Sequence, residues 1–323
     1  MRLRRTVASL TLLVVAAVAA VRGLERSAGV LEPPLDGDHG RFRWRGIDVA
    51  YTEAGDPDDP TLLLLHGINA AGSSGEFREL FADLAADHHV VAPDLPGFGC
   101  SDRPPLRYSA TFYEEFVAAF LAEFDEPRVL ASSLTGAYVA NAARQDPDLV
   151  ADLTLICPTA VAGPEPPKTA VRELLRAPVV GELLHAALVS KPSIRYFNAD
   201  HGYYSPDLPN AAWEDYEWRT GHQENARHAV AAFVAGYLNA AVNLGATLAD
   251  LDRAGVETTL VWGREAEITP LAEGRAMAEE VDCRLVVVDD AKLLPHVEFP
   301  DAVVGVVRGD PLSPASAAEE HAG

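Results

Sequence analysis

Val129-Leu130-Ala131-Ser132-Ser133-Leu134-Thr135-Gly136-Ala137 is the stretch that decides the fold. An apolar run, Arg128 to Ala131, ends in a turn of small residues, and a helical pattern from Thr135 to Gln145 follows at once. A serine at such a bend presents its hydroxyl at the edge of a sheet. The pattern that builds the bend is G-x-S-x-G, because strand and helix approach closely two residues before and two after the serine. With Ser133 at the bend those positions are Ala131 and Thr135; with Ser132 they are Leu130 and Leu134. Sterics favour Ser133, and the backbone N–H of Leu134 then faces the same space as a donor.

Working outward, the same alternation repeats. Thr61 to Leu65 (TLLLL) is continuously apolar, as a strand buried on both faces should be. Arg43 to Glu53 alternates, and further β-runs are Val90 to Ala92, Leu153 to Cys157, Thr258 to Trp262 and Arg284 to Val288. Helical spacing falls between them at Gly75 to Asp87, Ala110 to Phe124 and Pro270 to Val281. This order predicts an α/β fold with a mostly parallel sheet covered on both faces. The rhythm breaks between residues 160 and 250, where Pro and Gly give way to helical stretches, Val171 to Leu188 and Ala211 to Leu244, around an aromatic-rich middle.

Two more motifs fall at strand ends. His66-Gly67-Ile68-Asn69 follows TLLLL directly, and a His-Gly turn there can aim the Ile68 N–H as half of an oxyanion hole. Asp94-Leu95-Pro96-Gly97-Phe98-Gly99 follows Val90 to Pro93. The succession HG, DLPGFG and small-Ser-small resembles the α/β-hydrolase superfamily, in its serine-nucleophile branch of esterases, lipases and C–C hydrolases. The resemblance covers residues 41 to 308. It implies a mostly parallel eight-stranded sheet flanked by helices, with the helical stretch as an inserted cap above the site. The organisation expected is a core of 41–159 and 251–309 and a cap of 160–250.

The resemblance weakens where the acid and base should lie. The superfamily carries W-G-x-x-D-x-x-x-P; here Trp262 to Pro270 places Ala266 at the acid position, flanked by Glu265 and Glu267. Glu267 is the preferred substitute acid, being longer and nearer the turn's exit, and Glu265 the alternative; both also read as solvated surface charges. The base motif G-H-x-P-H-x-E-x-P is kept only in its second half, Pro295-His296-Val297-Glu298-Phe299-Pro300, with Leu293 at the base position. His296 is the candidate base if the loop is rearranged, though a histidine at the family's second position is more often a satisfied structural one. His201, His222 and His228, in the cap, have no motif support.

Two functions therefore compete. One is a hydrolase of an ester or related acyl bond, with Ser133 attacking, His296 as base, Glu267 or Glu265 as acid, Ile68 and Leu134 as backbone donors, and His66, Gly67 and Asn69 supporting the loop. The other is a non-catalytic relative kept as a binding or scaffold module; a lyase on the same fold is a further option. An aromatic, apolar cap suits a small apolar substrate.

Composition narrows the partners. Of 323 residues 48 are Asp or Glu and 26 Lys or Arg, a formal charge of -22, and the only lysines are Lys168, Lys191 and Lys292. Such a surface repels phosphate backbones, which argues against nucleic acid. Carboxylate-rich, lysine-poor composition also suits a halophilic setting, where a Debye length of about 3 Å screens self-repulsion. Cys100, Cys157 and Cys283 are isolated, so neither a zinc site nor a redox dithiol is expected, and no metal or cofactor motif is present.

At the N-terminus, MRLRR precedes an uncharged run from Thr6 to Val21. The segment 1–26 reads as a signal anchor or a cleaved signal, placing the domain outside the membrane or secreting it; a domain helix is the alternative. Residues 27–40 read as a linker, and 310–323 as a disordered acidic tail.

Overall fold

A computed structural model describes residues 2–281, 283–310 and 317–320. Among these residues nine strands form one sheet: β1 Asp38–Trp44, β2 Ile47–Ala54, β3 Thr61–Leu65, β4 His89–Pro93, β5 Arg128–Ser132, β6 Asp152–Ile156, β7 Glu257–Gly263, β8 Arg284–Val288 and β9 Ala317–Glu320. Their spatial order is β1-β2-β4-β3-β5-β6-β7-β8-β9. Strands β3 to β8 pair in parallel, while β1 with β2, β2 with β4 and β8 with β9 pair antiparallel. Leu62 to Leu65 are buried, as the unbroken apolar run requires.

The helices are α1 Arg2–Ala28, α2 Phe81–Leu84, α3 Ala110–Leu121, α4 Ser133–Gln145, α5 Thr169–Arg176, α6 Val180–Leu188, α7 Lys191–Phe197, α8 Ala211–Gly221, α9 Arg227–Val234, α10 Leu244–Ala254, α11 Leu271–Val281, α12 Pro295–Glu298 and α13 Pro300–Arg308. From β3 the chain leaves toward β4, and from β5 toward β6 on the other side. The order of the sheet therefore reverses between β3 and β5, and a crevice opens at their carboxyl ends, where ligands bind open α/β sheets.

The expected eight-strand sheet is present with one strand added, and three expected boundaries move. Residues 317–320 of the tail pair with β8 in register Leu285↔Glu320 to Val288↔Ala317, so the tail is not wholly without structure. An unpaired sheet edge accepts backbone from almost any sequence, which composition does not reveal. At the end of the expected cap, α10 sends Leu244, Leu248 and Leu251 into the central core. The long helix expected from Val171 to Leu188 is two, α5 and α6, broken at Ala177-Pro178-Val179, because proline supplies no N–H to continue the first.

The N-terminal helix runs past residue 26, and its end docks on the cap. Val21 and Ala28 are buried. Arg219 donates to the carbonyls of Ala28 at 2.9 Å and Val30 at 2.6 Å, Gln223 to that of Gly29 at 3.1 Å, and the Tyr216 hydroxyl to that of Glu32 at 3.2 Å. Leu31 and Leu35 are buried too, so residues 27–40 form a packed connection rather than a free linker. Among the described residues no helix is long and apolar enough to cross a membrane.

Candidate active site

The loop after β3 is pinned from two sides. His66 is fully buried; its Nε2 accepts the Leu95 N–H at 3.0 Å, which places the ring proton on Nδ1, 2.7 Å from the Gly67 carbonyl. His66 thus ties the His-Gly loop to the DLPGFG loop. Asp94 opens that second loop, and its carboxylate accepts the N–H of Ser74 at 2.6 Å and of Cys100 at 2.6 Å. Gly99, at φ +48°, lies so close that a Cβ there would collide with this carboxylate. The Asp94–Ser74 bond anchors the short 3-10 turn Ser74–Phe77, the element that carries Glu76.

Ser133 occupies the bend between β5 and α4 with φ +54°, in the left-handed region that L-residues avoid. Ser132, just before it, has β-type dihedrals and is buried. Thr135, whose branched side chain fits the small-residue pattern loosely, uses that branch: its hydroxyl donates to the His66 carbonyl at 2.7 Å. That bond fastens the start of α4 to the end of β3. Asn69 folds back to accept the Ala71 N–H at 2.7 Å. Ile68 and Leu134 are buried beside these turns.

Gly67 is where the parts converge. A Cβ added there would lie 3.2 Å from Ser132 Oγ, 3.3 Å from Glu76 Oε2 and 3.3 Å from Ser133 Cβ. Glu76 is buried; one carboxylate oxygen accepts the Gly67 N–H at 3.0 Å, and the other lies 3.2 Å from His296 Nε2. Burial alone would push its carboxyl up. The neighbouring His296, His66 and Ser132 outweigh it and hold the group below its ordinary value. Glu76 is therefore ionised at neutral pH.

His296 is fully buried, its ring tilted 5.5 Å from that of Phe77. Among the described residues no well-directed hydrogen bond reaches either ring nitrogen, and Nε2 stands 3.2 Å from the Glu76 carboxylate. The carboxylate that meets His296 is thus Glu76. Glu265 and Glu267 face solvent, one residue on either side of buried Ala266, which corrects the expectation that one of them orients the base. In an extended turn neighbouring side chains point apart, so flanking the acid position does not fill it. Leu293 is half-buried against the core.

Glu298, in the retained half of the base motif, accepts the N–H of Tyr204 and of Ser205 at 2.9 Å each and of Lys292 at 3.0 Å. It clasps the cap to the loop after β8. The cap histidines are engaged elsewhere: His222 with the Trp218 carbonyl at 2.8 Å and His201 with Asp200 at 3.3 Å, while burial lowers His228 to about 4. Burial pushes the Cys100 and Cys157 thiols up to about 12 each, so neither is a thiolate at neutral pH. Among the described residues no cluster of three or more His, Cys, Asp or Glu could hold a metal ion.

Residues 62–306 match the family described as "Alpha/beta hydrolase family". The chain belongs to that family. A stretch of 59 residues is 51% identical to an uncharacterized hydrolase of Saccharomyces cerevisiae, covering 18% of this chain and 20% of that one. The chain spans only about a fifth to a third of the length of the curated relatives it matches. Over longer spans it is similar to the crystal structure of a membrane phospholipase A (22% identity, TM-score 0.65, 95% of this chain and 94% of that one). It is likewise similar to 2-hydroxy-6-oxo-6-phenylhexa-2,4-dienoate hydrolase from Rhodococcus sp. strain RHA1 (20% identity, TM-score 0.67, 85% and 98%). At such identities the likeness establishes the fold alone.

Proposed function

We propose that the protein is a serine hydrolase acting on an ester or related acyl bond, with Ser133 as nucleophile and the Glu76–His296 pair as its proton acceptor. One observation carries this reading. A serine held at positive φ on the bend and an ionised buried carboxylate flank Gly67 at the sheet's switch point, and a fully buried imidazole lies 3.2 Å from that carboxylate. In the reaction the Ser133 oxygen adds to the acyl carbon and its proton passes to Glu76, shared with His296. The N–H groups of Ile68 and Leu134 hold the carbonyl oxygen as it becomes an oxyanion. The proton leaves with the alcohol, an acyl-serine forms, and water hydrolyses it by the reverse sequence.

Support for the order Ser–carboxylate–imidazole, rather than Ser–imidazole–carboxylate, comes from the contacts: it is Glu76 that touches Gly67 and Ser132 as well as His296. A carboxylate held below its ordinary value is a weak base, so turnover is slow. Neutral, apolar substrates suit a protein of charge -22. The membrane-anchored or secreted location suggested by the N-terminal segment remains part of this proposal only as a place where such a substrate would be met.

A fluorophosphonate probe tests the reading. Wild-type protein is expected to be labelled at Ser133, and Ser133→Ala to lose the label while Ser132→Ala keeps it. An unlabelled wild-type protein with intact fold would overturn it. The second reading, a non-catalytic relative, is favoured by Leu293 and Ala266 at the usual base and acid positions, and unlabelled protein is its expected result.

A further inference from the structure

Under the cap lies a cavity of about 320 Å³, walled by Leu188, Ile194, Phe197, Phe233 and Val234. Its polar side is Asn69, from the loop after β3, with Asn198 and Glu217 from the cap. A smaller cavity next to it shares Asn69, Ala71 and Glu217 and includes Glu76. Glu217 therefore stands in the wall between the apolar chamber and the catalytic carboxylate. Asn198 Nδ2 donates to its Oε2 at 2.8 Å, and no hydrogen bond from a described residue reaches its other oxygen.

We propose that this chamber binds the non-reacting part of the substrate and that Glu217 selects neutral ligands carrying a hydroxyl or amide donor over carboxylates. The inference rests on the hydrolase reading only in calling the ligand a substrate. Its physical basis is a carboxyl in a largely apolar chamber, where a second carboxylate finds repulsion and little water to screen it. The charged and titratable groups around Glu217 are few. Arg78 faces it with positive charge, Glu214 on the same helix with negative charge, and His201 lines the chamber. Glu76 and Tyr203 line the adjoining cavity. Burial, the leading cause, raises the Glu217 carboxyl to about 7 against the pull of Asn198 and Arg78. Discrimination against carboxylates should therefore switch on between pH 6 and 8.

The test measures equilibrium binding by ligand-observed NMR on folded Ser133→Ala protein, with 2-phenylethanol and 3-phenylpropionate as probes. The alcohol is expected to bind with little change from pH 6 to pH 8. The carboxylate should lose about tenfold in affinity over the same interval, as the ionised fraction of a group titrating near 7 rises from about a tenth to about nine-tenths. Glu217→Gln should abolish that loss, which separates Glu217 from His201. Val234→Trp, which fills the chamber, should remove binding of both probes. Equal binding of both probes at pH 8, no binding of either by folded protein, or a pH-dependent loss that survives Glu217→Gln would each overturn the proposal. A wild-type protein that takes no fluorophosphonate but discriminates between the probes would instead sink the nucleophile and leave the chamber standing.

Discussion

Replacing Glu76 by alanine strips three groups at once. The Gly67 N–H loses its acceptor at 3.0 Å, His296 Nε2 loses its partner at 3.2 Å, and Ser132 loses a hydrogen bond. An unsatisfied buried donor costs about 1–3 kcal/mol, and breaking a buried ion pair about 3–5. These costs overlap, because both follow from losing the same carboxylate, so a total of about 3–5 kcal/mol is expected. For a protein of this size that lowers Tm by roughly 2 °C per kcal/mol or somewhat more. Glu76→Gln keeps the shape and the Gly67 acceptor, and should cost only about 1–2 kcal/mol. pH separates the two contributions. The folded-state value of Glu76 is depressed, so its ionic stabilisation is present above the ordinary 4.5 and is lost as pH falls through and below it. The gap between wild type and Glu76→Gln in urea unfolding should therefore be full at pH 7 and close toward pH 3. A Glu76→Ala protein within about 0.5 kcal/mol of wild type at pH 7 would refute the buried-pair account. A folded Glu76→Gln protein whose Ser133 reacts with fluorophosphonate at the wild-type rate would refute its role as proton acceptor.

Gly67→Ala introduces a methyl group 3.2–3.3 Å from Ser132, Glu76 and Ser133. It should cost about 1–2 kcal/mol in chemical unfolding and slow labelling of Ser133, and an unchanged labelling rate would show that the convergence at this residue has no part in reactivity. Glu217 carries the opposite linkage to Glu76: its carboxyl is raised, the folded state holds the extra proton, and stability falls as pH rises from the ordinary 4.5 to about 7. Glu217→Gln should remove that slope and gain up to about 3 kcal/mol over wild type at pH 8 but little at pH 5, as read by urea midpoints; parallel curves would contradict it. Restoring the usual pair with Ala266→Asp and Leu293→His should raise the labelling rate at Ser133 at least about tenfold, well short of the roughly 10⁴ that loss of the acid's role alone costs in the template protease. No change would mean that the loop after β8 does not bring residue 293 to the serine.

The sheet was legible because its signals are local. Four leucines in a row need no partner to declare a strand buried on both faces, and the steric case for Ser133 over Ser132 needs only the residues two positions either side. Glu76 was not legible, because its role depends on His296, 220 residues on in the chain, and on the Asp94 tether that anchors its turn. One signal was there: a carboxylate among small and apolar residues in AAGSSGEF, in a stretch that reads as an ordinary amphipathic helix. Glu265 and Glu267 attracted attention by motif position, but exposure at those sites follows from the alternation around buried Ala266. The contacts of Arg219, Gln223 and Tyr216 with the carbonyls of residues 28, 29 and 32 lie beyond the apolar run from Thr6 to Val21, so they explain why the connection at 27–40 is packed and leave the reading of the run itself as it stood.

Backbone strain at Ser133 is not by itself a sign of chemistry. Arg45, Glu126, Cys157, Val179, Asn225 and Asp290 also have positive φ, and most of these serve turns. What sets Ser133 apart is the charge beside it. Two negative charges about 7 Å apart repel by roughly 2 kcal/mol at an effective dielectric of 20, worth more than tenfold in rate, so an oxyanion growing near a fixed carboxylate is opposed on that scale. Transfer of the serine proton to Glu76 removes that penalty as it arises: one negative charge leaves the carboxylate while one appears on the substrate oxygen, and the total in the pocket is constant. A neutral glutamine at residue 76 removes the repulsion but also the acceptor, and an ionised carboxylate unable to take the proton would oppose the reaction throughout. The arrangement favours reaction only if both happen together. A shallow dependence of labelling rate on pH above the depressed Glu76 value, and a steep fall below it, is the signature this coupling requires.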